Sequence, residues 1–151
     1  AKSKLSPDTV VQFWRYNLEL PAMKPGTKII MSPASKIYLD MKYDESTPLG
    51  LTWAGTVNVK EAYEWDPSTQ PGSIPEEDIL GVEAPLVSET IETSRDIEVL
   101  AFPRLPGIAE IGWSPKIHRD WDDYRVRLAK HGKWMSTMGV NFYRSPLIPW
   151  S

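Results

Sequence analysis

Two carboxylates, a phenol and an indole fall just beyond three short apolar runs: Trp14 after the first, Tyr38 and Asp40 after the second, Glu89 after the third. An ionised carboxylate only accepts hydrogen bonds, so Asp40 and Glu89 can each hold several hydroxyl groups. An indole face covers the apolar side of a pyranose, and a phenol places a donor beside it. If the three runs are neighbouring strands, the four side chains describe a sugar pocket. The third run, "ILGVEAPLVSET" (residues 79–90), is the sharpest case, because an apolar strand stops abruptly at Ser88-Glu89. A barrel strand presents a polar side chain to a small ligand in this way.

Each side chain also has an ordinary structural use. Asp40 and Glu89 would serve equally as solvated or salt-bridged loop residues, and Trp14 and Tyr38 as core. Glu83, inside the apolar third run, pairs with an arginine or faces a barrel interior, and either role is structural. His118 and His131 read as surface or helix-face residues, without a partner at metal-ligand spacing. There is no glycine-rich phosphate loop, no G-x-S-x-G and no H-E-x-x-H. Asp40 and Glu89 could also form an acid/base pair of their own, which would require the carboxylate separations of glycosidases.

The elements that must position these groups follow from punctuation and periodicity. "TVVQFW" (Thr9–Trp14) is β-branched and aromatic, "KIIMSP" (Lys28–Pro33) follows the turn signal Pro25–Thr27, and "ILGVEAPL" is apolar except for Glu83. All three read as strands, and their near-continuous apolar character predicts a sheet covered on both faces. The connection from Ala34 to Trp53 is long, the kind of ordered loop that carries function. Trp53–Trp65 reads as a helix, weakened by Gly55 and its β-branched residues. The Pro/Gly/Ser loop 66–78 follows. Ser94 and Asp96 start a helix that Pro103 and Pro106 must kink or break. Trp121, Tyr124, Leu128, His131, Met135 and Met138 recur at steps of three and four, which defines an amphipathic helix ended by Gly139. Strands alternating with helical segments predict an α/β fold with parallel strands. Three such strands cannot close a barrel and leave two apolar edges open, so the chain reads as part of a larger α/β body.

Composition narrows the partners. The 151 residues suffice for one domain with a real core. A net charge of −3, with both signs interspersed, argues against nucleic acid or an acidic membrane as partner. The absence of cysteine excludes disulfides, thiolate zinc sites and a cysteine nucleophile. No apolar run approaches a membrane span. The start, "AKSKLSPDTV", lacks the apolar core of a signal peptide, so an export signal is expected to be absent or already removed. Seven Trp and six Tyr suit flat, partly apolar ligands with a hydroxyl rim.

Five segments in order, "SKIYLDMKYDESTPLGLTWAG", "GVEAPLVSET", "AFPRLPGIAEIGWSP", "RDWDDYRVRLAKHG" and "GVNFYRSPLIPW", resemble the C-terminal part of a bacterial-type β-N-acetylhexosaminidase of glycoside hydrolase family 20. The resemblance runs over essentially the whole chain. It implies that residues 1–151 are the last three βα units of a (β/α)8 TIM barrel, with a C-terminal amphipathic helix. It also implies removal of terminal N-acetylglucosamine or N-acetylgalactosamine with retention, the nucleophile being the substrate's own acetamide oxygen. No cofactor is implied, and a bacterial extracellular or periplasmic setting is. The family's Asp-Glu acid/base pair belongs to an earlier strand, and the one "DE" here, Asp44-Glu45, stands in the wrong motif. The isolated chain is therefore expected to be inactive, with the remaining barrel strands as its partner. A catalytically inactive fragment with a structural or weak sugar-binding role is the alternative.

By the same resemblance, Tyr38 matches the tyrosine that orients the acetamide. Asp40 and Glu89 match the carboxylates on the outer ring hydroxyls. Trp14 matches an indole of the acetamide cage, and Trp53 a tryptophan at the pocket mouth. One position departs: the family reads Leu-Trp-Ser-Glu where this chain reads Leu86-Val87-Ser88-Glu89. Val87 suits a strand, but it removes the indole platform beneath the sugar and marks a divergent or engineered −1 subsite.

Overall fold

The computed structural model describes residues 6, 8–15, 26–69 and 74–150. The turn signal at Pro25 and the centre of the Pro/Gly/Ser loop, residues 70–73, lie outside them. Three short runs rich in β-branched residues form strands β1 (Val10–Phe13), β2 (Lys28–Met31) and β3 (Ile79–Val82). They pair in parallel in the order β1-β2-β3, with Phe13 beside Met31 and Met31 beside Val82. The ladder continues past the strand ends: the Ser32 amide donates to Phe13 O, Ala34 to Trp14 O and Glu83 to Met31 O, at 2.7, 2.9 and 3.0 Å. These bonds fix the backbone where the chemistry-bearing residues begin.

One face of the sheet is packed and the other is not. Phe13, Ile29 and Met31 meet Ile37, Leu39, Trp65, Ala101, Ile108 and Ile111 in the main core. The expectation of cover on both faces fails within this chain, where Val10 and Leu80 stay 47% and 57% exposed. Glu83 has no arginine partner among the described residues. It accepts a hydrogen bond from Gln12 Nε2 at 3.1 Å, and the same amide reaches Ser32 Oγ at 3.2 Å.

Helix α1 is one turn (Ala34–Ile37), and among the described residues from there to residue 78 there is no other α-helix. The helix expected over Trp53–Trp65 is absent. Gly55 sits at φ +93, and Val57 and Val59, two apart, are both fully buried. A spacing of two is the extended-chain period, and a helix would turn those side chains to different faces. A bridge between Trp53 and Gly55, the Val57 amide on Lys42 O and turns over residues 59–63 hold the segment instead.

Helix α2 (Ser94–Ala101) is capped by Thr93, one residue before the expected start, in a reciprocal capping box with Asp96. The helical stretch breaks at Pro103 and resumes as α3 (Arg104–Trp113). Pro106 breaks nothing, because it falls in the first turn of α3, where backbone N–H groups have no partner within the helix. Helix α4 (Trp121–Thr137) buries Tyr124, Leu128 and Met135, while Met138, its C-cap, is 63% exposed. Gly139 follows at φ +74.

A second core joins α4 to the long loop: Tyr43, Val59, Tyr63, Tyr124, Leu128, Ala129 and Ile148. Tyr63 and Tyr124 stack with ring centroids 4.1 Å apart. Gly107 of α3 makes room for that pair, since a Cβ there would lie 2.8 Å from Tyr124 Oη and 3.3 Å from Tyr63 Cδ2. Gly107→Ala is expected to lower stability by about 1–3 kcal/mol through overpacking. A shift of the urea midpoint at unchanged slope measures it.

Candidate functional site

The site is built by two loops that leave the sheet beyond the C-terminal ends of β2 and β3. Their backbones are tied to each other. The Leu39 amide donates to Pro85 O at 2.8 Å, and the Gly50 amide to Thr90 Oγ1 at 3.2 Å. Asp40 therefore lies across from the segment that carries Val87 and Glu89.

Aromatic rings form one wall. Trp53 meets Trp14 edge-on at 6.3 Å and Tyr38 at 5.8 Å, with interplanar angles of 75° and 84°. The Arg15 guanidinium stands 5.9 Å from the centroids of both indoles. Trp53 is 47% exposed. Burial raises the Tyr38 pKa, and the charges of Asp40 and Glu83 raise it further, so its hydroxyl stays a protonated donor.

Asp40 is the unusual group. Its side chain is 1% exposed, and neither carboxylate oxygen has a hydrogen-bond partner. Burial raises its pKa, nearby backbone amides of Asp40 and Val87 and the charge of Arg104 pull it down, and Glu89 pushes it up. Glu89 itself is exposed. The two carboxylates are thus near neighbours in unlike settings, one dry and one wet. A buried acceptor without a donor is rare in folded proteins and costs free energy, so it calls for a donor that the described residues do not supply.

The backbone around Asp40 is held on every side. Leu51 N donates to Asp40 O at 2.7 Å and Lys42 N to Leu51 O at 2.9 Å. Gly50, at φ +102, lets this pair close up, because a Cβ there would stand 2.9 Å from Asp40 O. Below lies Arg104, the residue that sequence reasoning missed. It is 1% exposed, and its guanidinium donates to Leu39 O (2.5 Å), Met41 O (2.8 Å), Val57 O (3.0 Å) and Leu100 O (2.7 Å). The signal was a lone cation at the head of a helix whose next five residues are apolar or glycine, in "FPRLPGIA".

The structure therefore brings Trp14, Tyr38 and Trp53 into contact and sets Asp40 electrostatically beside Glu89 and the Val87 amide. Val87 is 44% exposed. Two surface clefts of about 420 and 480 Å³ lie elsewhere, against Trp65, Asp66, Lys116 and Arg119, and include none of these six residues. Among the described residues no group of three or more acidic or histidine side chains is placed to hold a metal ion, and no helix is long and apolar enough to cross a membrane.

A parallel α/β unit with aromatic rings and carboxylates gathered beyond its strand ends is the class of protein these features define. Residues 1–116 match the model of the catalytic domain of glycosyl hydrolase family 20, and the chain belongs to that family. A β-N-acetylhexosaminidase of Cellulomonas fimi is 39% identical over 99% of this chain and 31% of its own length. The solved family 20 β-N-acetylhexosaminidase of Streptomyces coelicolor A3(2) superposes with a TM-score of 0.88 at 46% identity, covering 94% of this chain and 30% of that one. An exo β-N-acetylglucosaminidase of Vibrio harveyi, solved with N-acetylglucosamine, gives 0.80 at 33% identity, over 93% of this chain and 22% of its own. The chain spans about a third or less of these relatives.

The raised pKa of Asp40 has a definite consequence for stability. A carboxyl whose folded pKa lies above its unfolded value contributes fully below the unfolded value and loses that contribution as pH rises through the folded one. Relative to the wild type, Asp40→Asn is expected to gain melting temperature as pH rises from the acid range to neutrality. A pH-independent difference between the two melting curves would contradict a buried, ionising Asp40.

Proposed function

We propose that this chain is the C-terminal part of the catalytic barrel of a β-N-acetylhexosaminidase, comprising its last three βα units. In this reading residues 1–151 grip a terminal N-acetylglucosamine or N-acetylgalactosamine of a glycan or chitooligosaccharide. The observation that carries it is Asp40, a buried carboxylate with two unpartnered oxygens beside an aromatic corner. Sugar hydroxyls are the donors that such a group lacks. The open sheet face, with Val10 and Leu80 exposed, fits a chain whose neighbours in the barrel are elsewhere.

Each side chain then has a task. Asp40 and Glu89 accept from the outer ring hydroxyls. Tyr38 donates to the acetamide oxygen and aims it at the anomeric carbon. Trp14 walls the acetamide methyl, and Trp53 lines the mouth where the rest of the glycan leaves. The acetamide oxygen displaces the leaving group, which takes its proton from an Asp-Glu pair on a strand outside this chain. Water then opens the cyclic intermediate, with retention at the anomeric carbon. No step needs a cofactor.

The alternative, a non-catalytic fragment that holds sugar weakly, draws on Val87. Without an indole under the ring, binding loses about 1–3 kcal/mol by analogy with base–aromatic stacking.

A p-nitrophenyl N-acetylglucosaminide assay separates the readings. The chain alone is expected to be silent, and turnover is expected once the preceding strands complete the barrel. Turnover by the isolated chain would place the general acid within it and overturn the assignment. In the completed barrel, Val87→Trp is expected to tighten N-acetylglucosamine binding roughly tenfold to a hundredfold. Unchanged affinity for a thiazoline analogue of the cyclic intermediate would remove the platform from the account.

A further inference from the structure

Arg104 lies behind the candidate sugar-binding groups, and its geometry is aimed at one residue. Its Nη2 binds the carbonyl of Leu39 and its Nη1 the carbonyl of Met41, so one guanidinium holds the carbonyls of the residues before and after Asp40. The same two nitrogens reach Val57 O in the long loop and Leu100 O at the end of α2. The cation also lies 3.9 Å from the Tyr43 ring centroid. Tyr43 Oη in turn stands 2.9–3.0 Å from the carbonyls of Val99, Leu100 and Phe102, which roots the clamp in α2. No described carboxylate forms a salt bridge with Arg104, so its field falls on the nearby Asp40 without a closer competitor.

We propose that Arg104 is a positioning residue for sugar binding: it sets the direction and the charge state of the Asp40 carboxylate from behind, without touching the ligand. The inference rests on the reading of Asp40 as a hydroxyl acceptor. A planar fork is required, because four carbonyls from three segments must be met at fixed angles, and an ammonium cannot meet them all. The charged and titratable groups that bear on Asp40 are Arg104 from α3, Glu89 from the loop after β3 and Tyr38 at the end of α1, beside the backbone amides of Asp40 and Val87, which lower its pKa more than Arg104 does. Arg104 is the cation among them. Removing its charge leaves burial and Glu89 unopposed by it. The Asp40 pKa, already raised, then rises further, and the acid limb of sugar binding moves to higher pH.

Wild-type protein supplies the first test. NMR titration is expected to show the Arg104 guanidinium resonances moving with the same midpoint as the Asp40 carboxyl carbon. Guanidinium signals indifferent to that titration would overturn the proposal, whether or not any variant folds. In the completed barrel, Arg104→Lys is expected to raise KM for p-nitrophenyl N-acetylglucosaminide about tenfold or more. Asp40→Asn should do the same, and the double variant should be no worse than the poorer single one. Arg104→Gln should move the acid limb of kcat/KM to higher pH, and Arg104→Lys, which keeps the charge, should restore most of that shift. Additive losses, or a folded Arg104→Lys with unaltered KM beside an impaired Asp40→Asn, would refute positioning. An unaltered KM in Asp40→Asn would instead sink the sugar-binding role of Asp40, while the guanidinium titration still decides whether Arg104 governs that carboxylate.

Discussion

A full positive charge sits in the interior of this protein, and its solvation by four backbone carbonyls is the constraint that organises the rest. Removing a guanidinium from water is costly unless oriented dipoles replace the lost shell. Here the replacement comes from Leu39, Met41, Val57 and Leu100, residues far apart in sequence. Each carbonyl must point inward for the cation to be tolerated. The loop after β2 is therefore folded around a charge as much as over an apolar core. That explains how a stretch without a single long helix can be almost wholly buried at its ends.

The arrangement also accounts for the difference between the two carboxylates. Asp40 is dry and biased toward its neutral form by burial. Glu89 is wet and close by. A dry acceptor discriminates strongly, because a ligand lacking the matching donor leaves it unpaired. A wet one adds reach with little selectivity. The aromatic corner formed by Trp14, Tyr38 and Trp53 adds apolar surface beyond the same strand ends.

Much of this was legible in the sequence, and what was not has a physical cause. Three β-branched runs bounded by proline and glycine marked the strands, the first two within a residue or two, whereas the third was read to Leu86 and ends at Val82. Proline broke the helical stretch at residue 103 but not at 106, a distinction that depends on where the first turn falls. Trp53–Trp65 misled because its periodicity is irregular: Val57 and Val59 obey an extended spacing, whereas Ala62 and Tyr63 are held by turns. Trp14 and Tyr38 were expected together from their places after the strands, whereas Trp53, which meets both, entered only through the family resemblance. The grip on Asp40 was not, since no local pattern links Leu39 and Met41 to an arginine more than sixty residues on. Only the incongruity of a cation opening an apolar stretch of helix hinted at it.

The clasp at the end of the chain extends the same logic. Tyr143 stacks on Tyr43 at 4.1 Å and donates to Asp44 Oδ2 at 2.7 Å across 99 residues of sequence. Tyr43 carries the cation on its other contacts, so the segment after α4 braces the loop through a single ring. Contacts that long must await most of the chain, and loop closure is unfavourable until they form. As the polypeptide emerges from synthesis, the strand residues appear first, and the brace on Tyr43 and Asp44 waits for the strap behind the last helix. A prematurely ended chain would carry the strands without that brace.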